Sequence, residues 1–132
     1  MFIAEILQHK GNQVVHVAPT VPISEVVRVL GDKGIGAVLV LDNADQLVGI
    51  VSERDIMRCL MHEGARTLEM SAGQLMTRNL TTAEPGTSVN EAMRLMTAGR
   101  FRHVPVLDQG RLVGLISIGD VVKARSSEQE QE

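Results

Sequence analysis

The sequence predicts an α/β (α+β) fold built from two copies of one β-α-β-β-α unit. Three observations predict it: an internal repeat, a helical apolar stripe at the same place in each copy, and a hairpin signal after each stripe. Residues 19–42 match 85–108 at an offset of 66. Pro19, Glu25, Arg28, Val38, Val40, Leu41 and Asp42 meet Pro85, Glu91, Arg94, Val104, Val106, Leu107 and Asp108. Removing one residue from the turn after Asp42 changes the offset to 65. Leu47, Val48, Gly49, Ser52 and Asp55 then meet Leu112, Val113, Gly114, Ser117 and Asp120. Residue usage alone would give unrelated stretches of this length about two identities.

The elements follow in order. Residues 1–12 read as a short helix with Ile3, Ile6 and Leu7 on one face. Each repeat then opens with a short apolar run, Val14–Val17 and Leu80–Thr82, followed by a turn that contains proline. In the next helix Ile23, Val26, Val27 and Leu30 recur at i, i+3, i+4, i+7, as do Val89, Ala92, Met93 and Met96. Ser88 with Glu91 predicts a capping box at the start of the second of these helices. Two hairpins follow, Ala37–Leu41 with Leu47–Val51 and His103–Leu107 with Leu112–Ile116. A last helix opens near Ser52 and again near Ser117. One such unit of about 50 residues buries too little apolar surface to stand alone, so the two are expected to pack as one pseudo-twofold module. The expected organisation is an N-terminal segment and first repeat over 1–62, a linker over 63–76 ending in a short helical turn at Leu75 and Met76, a second repeat over 77–125, and a polar acidic tail over 126–132 that frays.

Composition removes several classes of function. A net charge of −3 and a pI near 5.8 lack the basic excess of a phosphate-backbone binder. Phe2 and Phe101 are the only aromatic residues, too few to stack single-stranded bases. The single cysteine, Cys59, cannot form an internal disulfide and fits a reducing compartment. No basic leader or long apolar run is present, so the reading is a soluble cytoplasmic protein with neither nucleic acid nor membrane as partner.

The pattern with chemical content is Gly-x-x-Ser-x-x-Asp, at Gly49/Ser52/Asp55 and Gly114/Ser117/Asp120. A Ser at an N-cap with an acid three residues later is a helix-start device. The same geometry can bind a ligand: unpaired N–H groups and the hydroxyl face an anion, and a carboxylate accepts ribose hydroxyls. Cys59-x-x-His62 has a spacing two metal ligands could use, with His9, His16 or His103 to complete a set. No second Cys pair or His cluster supports a metal site. No base or oxyanion loop accompanies Cys59, and no nucleophile–base pair is evident, so catalysis is the poorest reading. Met57, Met61, Met93 and Met96 lie at helical spacing and read as core or dimer-interface packing.

Five segments carry a family resemblance. Val14–Pro19, Ile35–Asp42 and Gly49–Ile56 resemble one cystathionine-β-synthase (CBS) motif, and Phe101–Asp108 with Gly114–Val121 resemble a second. The resemblance spans about residues 3–125 and is closest to stand-alone bacterial CBS pairs, also called Bateman modules. The same module occurs inside inosine-monophosphate dehydrogenases, but their catalytic barrel needs about 250 residues.

The resemblance implies binding without catalysis. Such pairs take adenosine-containing ligands (AMP, ADP, ATP, NAD, sometimes S-adenosylmethionine) in clefts between the repeats. They commonly form homodimers and report energy or redox state to a partner protein, here unknown. It implies that Asp55 and Asp120 anchor ribose beside Ser52 and Ser117, and that Arg102 and His103 contact phosphate. The bland alternative for that basic pair is a solvent-facing strand edge. Arg54 is either a phosphate ligand or a surface ion pair with Glu53 or Asp55. Val17, Thr82, Val38 and Val104 form the adenine slot or are plain core. Repeat 1 carries Gly36 and Ala37 where repeat 2 has Arg102 and His103, and lacks the proline at Leu39, so the two sites are expected to be unequal. The rival reading is a constitutive dimeric interaction domain that binds no nucleotide.

Overall fold

A computed structural model of the protein describes residues 1–11 and 14–131, with side chains through Ser126. Two compact units form, one from Val15–Leu80, the other from Thr81 onward together with the helix at the N-terminus.

In the first unit, β1 (His16–Val17) pairs parallel with β2 (Ala37–Leu41), which pairs antiparallel with β3 (Leu47–Ser52). Helix α2 (Ile23–Lys33) follows β1, and α3 (Glu53–Glu63) follows β3. A 3-10 helix (Gly64–Glu69) and the short α4 (Ala72–Leu75) complete the unit. Its core joins Ile23, Val26 and Leu30 of α2 to Val38, Val40, Val51, Ile56 and Ala72. Val27 belongs to the predicted stripe but is exposed; the buried arc is narrower than the apolar one.

The second unit repeats the plan with α5 (Val89–Gly99), β4 (His103–Asp108), β5 (Arg111–Ser117) and α6 (Ile118–Gln131). Val89, Ala92 and Met96 pack on Val104, Val106, Ile116 and Val121. Both hairpins carry a register shift at the same place, Val40/Leu41 and Val106/Leu107. Gln109 and Gly110 join β4 to β5 with positive φ at both, as a two-residue type I′ turn requires. The longer first turn is closed by Asp42, whose Oδ1 accepts from the N–H groups of Ala44 (2.9 Å) and Gln46 (3.0 Å).

Two sequence expectations for the second unit need adjustment. Leu80–Thr82 is not a strand. Only Ala83 bridges to Val106, the counterpart of Val17 on Val40. In the first unit Leu39 N–H donates to Val15 O at 3.1 Å, but its counterpart Pro105 has no N–H to give, so the parallel ladder stops at one bridge. The capping box at Ser88 is half made: Ser88 Oγ accepts from Glu91 N at 3.0 Å, while the Glu91 carboxylate turns to Arg94. Helix continues through the tail as far as Gln131; the side chains that would report fraying lie outside the described residues, as does Glu132.

The N-terminal helix, α1 (Ile3–Lys10), is shorter than the expected 1–12, whose residue 12 lies outside the described residues. In space the chain divides differently from its order in sequence, because the helix leading into each repeat packs in the unit of the other. Within the first unit Ile23 N–H donates to Met70 O, Ala72 N–H to Val21 O and Gly73 N–H to Pro19 O, all at 2.8 Å. The second unit makes the same three bonds with α1. Val89 N–H donates to Met1 O (3.0 Å), Ile3 N–H to Thr87 O (2.9 Å) and Ala4 N–H to Pro85 O (3.0 Å). Ile3, Ile6 and Leu7 are buried there. The residues expected to be a linker, 63–76, are thus packed structure of the first unit.

Candidate functional site

Both Ser/Asp pairs sit at a strand-to-helix turn and close on themselves. Ser52 caps α3: its Oγ accepts from Asp55 N (3.2 Å), and Asp55 Oδ2 accepts from Ser52 N and Ser52 Oγ, each at 3.0 Å. Ser117 and Asp120 repeat this, with Ser117 N to Asp120 Oδ2 at 2.8 Å and Asp120 N to Ser117 Oγ at 3.1 Å. The helix-start reading of the motif is therefore fulfilled, and both carboxylates remain partly exposed.

Strand pairing brings the other site residues to the same end. His103 lies directly opposite Ser117, as Ala37 lies opposite Ser52. Ile118 N–H donates to Arg102 O at 2.8 Å, the counterpart of Glu53 N–H on Gly36 O at 2.9 Å. Arg102, His103, Ser117 and Asp120 thus share one end of the β4–β5 hairpin. Gly36, Ala37, Ser52, Arg54 and Asp55 share the matching end of β2–β3, without the basic pair. The Arg54 and Arg102 side chains are exposed, and neither makes an ion pair among the described residues, so Arg54 has neither Glu53 nor Asp55 as partner.

The four adenine-slot candidates lie in two kinds of place. Val17, Val38 and Val104 are buried in the cores, whereas Thr82 is exposed. The two motif glycines admit packing. A Cβ on Gly49 would fall 2.4 Å from Met76 Sδ, and one on Gly114 would fall 2.5 Å from Leu7 Cδ2. The space over each glycine is filled by the residue after α4 in one unit and by α1 in the other.

Two residues at the site were not legible in the motifs. Thr77 bridges to Ile50 (Ile50 N–H to Thr77 O, 3.0 Å; Thr77 N–H to Ile50 O, 2.8 Å), and its hydroxyl reaches Asp55 Oδ1 at 3.5 Å. At the corresponding Leu115, the carbonyl accepts from Lys10 Nζ at 2.8 Å, and the same ammonium donates to Asp120 Oδ2 at 2.7 Å. The signal for Lys10 was its place seven residues after Ile3, on the buried face of α1.

Burial pushes the Asp120 carboxyl upward, but Lys10 and the Ser117 amide and hydroxyl outweigh this and hold it below the ordinary range. A carboxyl more acidic in the folded than in the unfolded chain contributes stability above its unfolded value, lost as pH falls through the folded one. Comparing Tm for the natural protein and Lys10→Met between pH 6 and pH 3 is expected to show a gap that closes below about pH 4. A gap constant with pH would assign the role of Lys10 to packing alone.

Cys59 lies 3.6 Å from Met70 Sδ and accepts from the buried Thr67 hydroxyl at 3.4 Å, while His62 is exposed. Among the described residues no three His, Cys, Asp or Glu side chains gather as a metal set, and no helix is long and apolar enough to cross a membrane. Met93 and Met96 pack in the core, whereas Met57 and Met61 are exposed on α3.

A paired α/β repeat with a Ser/Asp-capped helix after each hairpin defines a small tandem-repeat module. The CBS-domain family model matches residues 3–62 and 72–127, and the chain belongs to that family as a CBS pair. It is 37% identical over 112 residues to the mitochondrial CBS domain-containing protein CBSX3 of Arabidopsis thaliana, covering 82% of this chain and 54% of that protein. It thus spans about half the length of that relative. The CBS-domain containing protein ATU1752 from Agrobacterium tumefaciens superposes with a TM-score of 0.91 at 44% identity, covering 94% of this chain and 92% of that one. CBSX2, solved in complex with AMP, superposes at 0.78 with 26% identity, covering 97% and 98%.

Proposed function

We propose that the protein is a non-catalytic regulatory module that binds an adenosine-containing ligand, AMP first among AMP, ADP, ATP and NAD, and signals occupancy to a partner protein in the cytoplasm. The observation that carries the reading is the pair of corresponding carboxylates, Asp55 and Asp120, each fixed by its own Ser at a helix start and partly open to solvent. A carboxylate so held can accept both ribose hydroxyls. Arg102 and His103 beside Asp120 supply phosphate contacts that the first unit lacks. The AMP complex of CBSX2 supports the ligand class. Signalling follows from linkage: a ligand shifts the balance of two arrangements only by its difference in affinity for them.

Thermal unfolding against 1 mM AMP, ADP, ATP, NAD, adenosine and GTP tests this. A ligand with Kd near 10 μM adds about 2.7 kcal/mol, a rise of several degrees. The expected result is a rise confined to adenine compounds. It should be lost in the Asp55→Asn/Asp120→Asn double variant, and reduced more for AMP and ATP than for adenosine by Arg102→Ala. A flat panel with nucleotide-free protein favours the second reading, a homodimeric interaction domain. Met57, Leu60 and Met61, exposed at 63%, 39% and 77% along α3, favour that reading.

A further inference from the structure

The two carboxylates assigned to ribose differ in what already holds them. Among the described residues Asp55 meets only neutral donors: the Ser52 amide and hydroxyl, and the Thr77 hydroxyl at the long distance of 3.5 Å. Asp120 meets a cation. Lys10 reaches it from α1 and is anchored a second time on Leu115 O, the position whose counterpart, Ile50 O, is satisfied by a backbone N–H. Lys10 and Asp120 are 39% and 25% exposed, so their contact is partly shielded from water, and charge-assisted hydrogen bonds of this length are among the stronger ones. Ile3, Ile6 and Leu7 fix α1 in place, so the ammonium can leave the carboxylate only by rotating its own side chain.

We propose that Lys10 is the selectivity-determining residue of the Asp120 site, its ammonium competing with ribose hydroxyls for the carboxylate and favouring ligands that bring an anionic group to receive it. This rests on the reading of Asp55 and Asp120 as ribose acceptors. A neutral nucleoside must displace the ammonium and offers nothing in exchange. A nucleotide supplies a phosphate with which the released ammonium can pair. Asp55 has no such filter, so the two sites differ in selectivity as well as in strength.

Calorimetric titration with adenosine and with AMP tests the inference, using Asp55→Asn protein so that only the Asp120 site is read. Adding Lys10→Met is expected to tighten adenosine about three- to tenfold, the range for losing a partly exposed ion pair, and to tighten AMP less or not at all. Lys10→Arg, which keeps the charge, is expected to resemble the Asp55→Asn protein. Adding Asp120→Asn should abolish both titrations. Adenosine binding that is unchanged or weaker in Lys10→Met, or equal tightening of both ligands, overturns the role of Lys10 and leaves the adenosine reading standing. Absence of binding by either ligand in every variant and in the natural protein overturns that reading, and this inference with it.

Discussion

Deleting residues 1–10 is expected to strip hydrogen-exchange protection from Thr81–Val121 before it is lost from Val15–Leu80. The deletion removes Ile3, Ile6 and Leu7, all buried in the second unit. Truncating one such side chain costs about 2–5 kcal/mol, so three approach the whole stability of an ordinary domain, about 5–15 kcal/mol. Val89 N–H also loses its acceptor, Met1 O, and the carbonyls of Thr87 and Pro85 lose their donors. Exchange read by mass spectrometry, with circular dichroism for total helix, separates the alternatives. Earlier loss from Val15–Leu80 would assign α1 to the repeat it precedes.

Gly114→Ala is expected to lower stability by about 1–3 kcal/mol, the usual cost of forcing a carbon into a filled core. The new methyl would lie 2.5 Å from Leu7 Cδ2 and 3.2 Å from Cδ1, and Leu7 is 6% exposed with little room to withdraw. Leu7→Ala alone should cost about 2–5 kcal/mol. Together the two should cost clearly less than their sum, because the added methyl occupies part of the space that Leu7 vacates. Urea unfolding of the four proteins closes the cycle; strict additivity would mean that the side chain and the glycine do not touch. Gly49→Ala meets Met76 instead, whose flexible thioether can move aside, and its cost should be smaller.

What the sequence disclosed is what short range determines. Both hairpins, the helix starts at Ser52 and Ser117, and the turn of Leu75 and Met76 follow from residues within a few positions of one another, and the repeat supplied each signal twice. The Ser/Asp pairs were legible for the same reason: an N-cap and its acid are three residues apart. Two of the features that escaped have remote causes. The loss of the strand at Leu80–Thr82 is set by Pro105, which lacks the donor that Leu39 supplies in the first unit. Lys10 meets Asp120 across most of the chain, a pairing that no local pattern announces. The half-made box at Ser88 has a local cause instead: Arg94, three residues after Glu91, takes its carboxylate.

The exchange of leading helices also fixes an order of events during synthesis. The chain grows from its N-terminus at about 5–20 residues per second, so α1 leaves the ribosome well before the surface that will receive it. Val15–Leu80 carries all the described partners of its own core, so they are all present once it has emerged. The stripe of Ile3, Ile6 and Leu7 must stay without its seat until Thr87, Val89 and the strands after them are made. Closing so long a loop adds little to the entropic cost, which grows only logarithmically with length, but it makes the last step wait on translation. The nascent protein therefore matures from its middle outward, and the carboxylate paired with Lys10 is completed after the one beside Thr77.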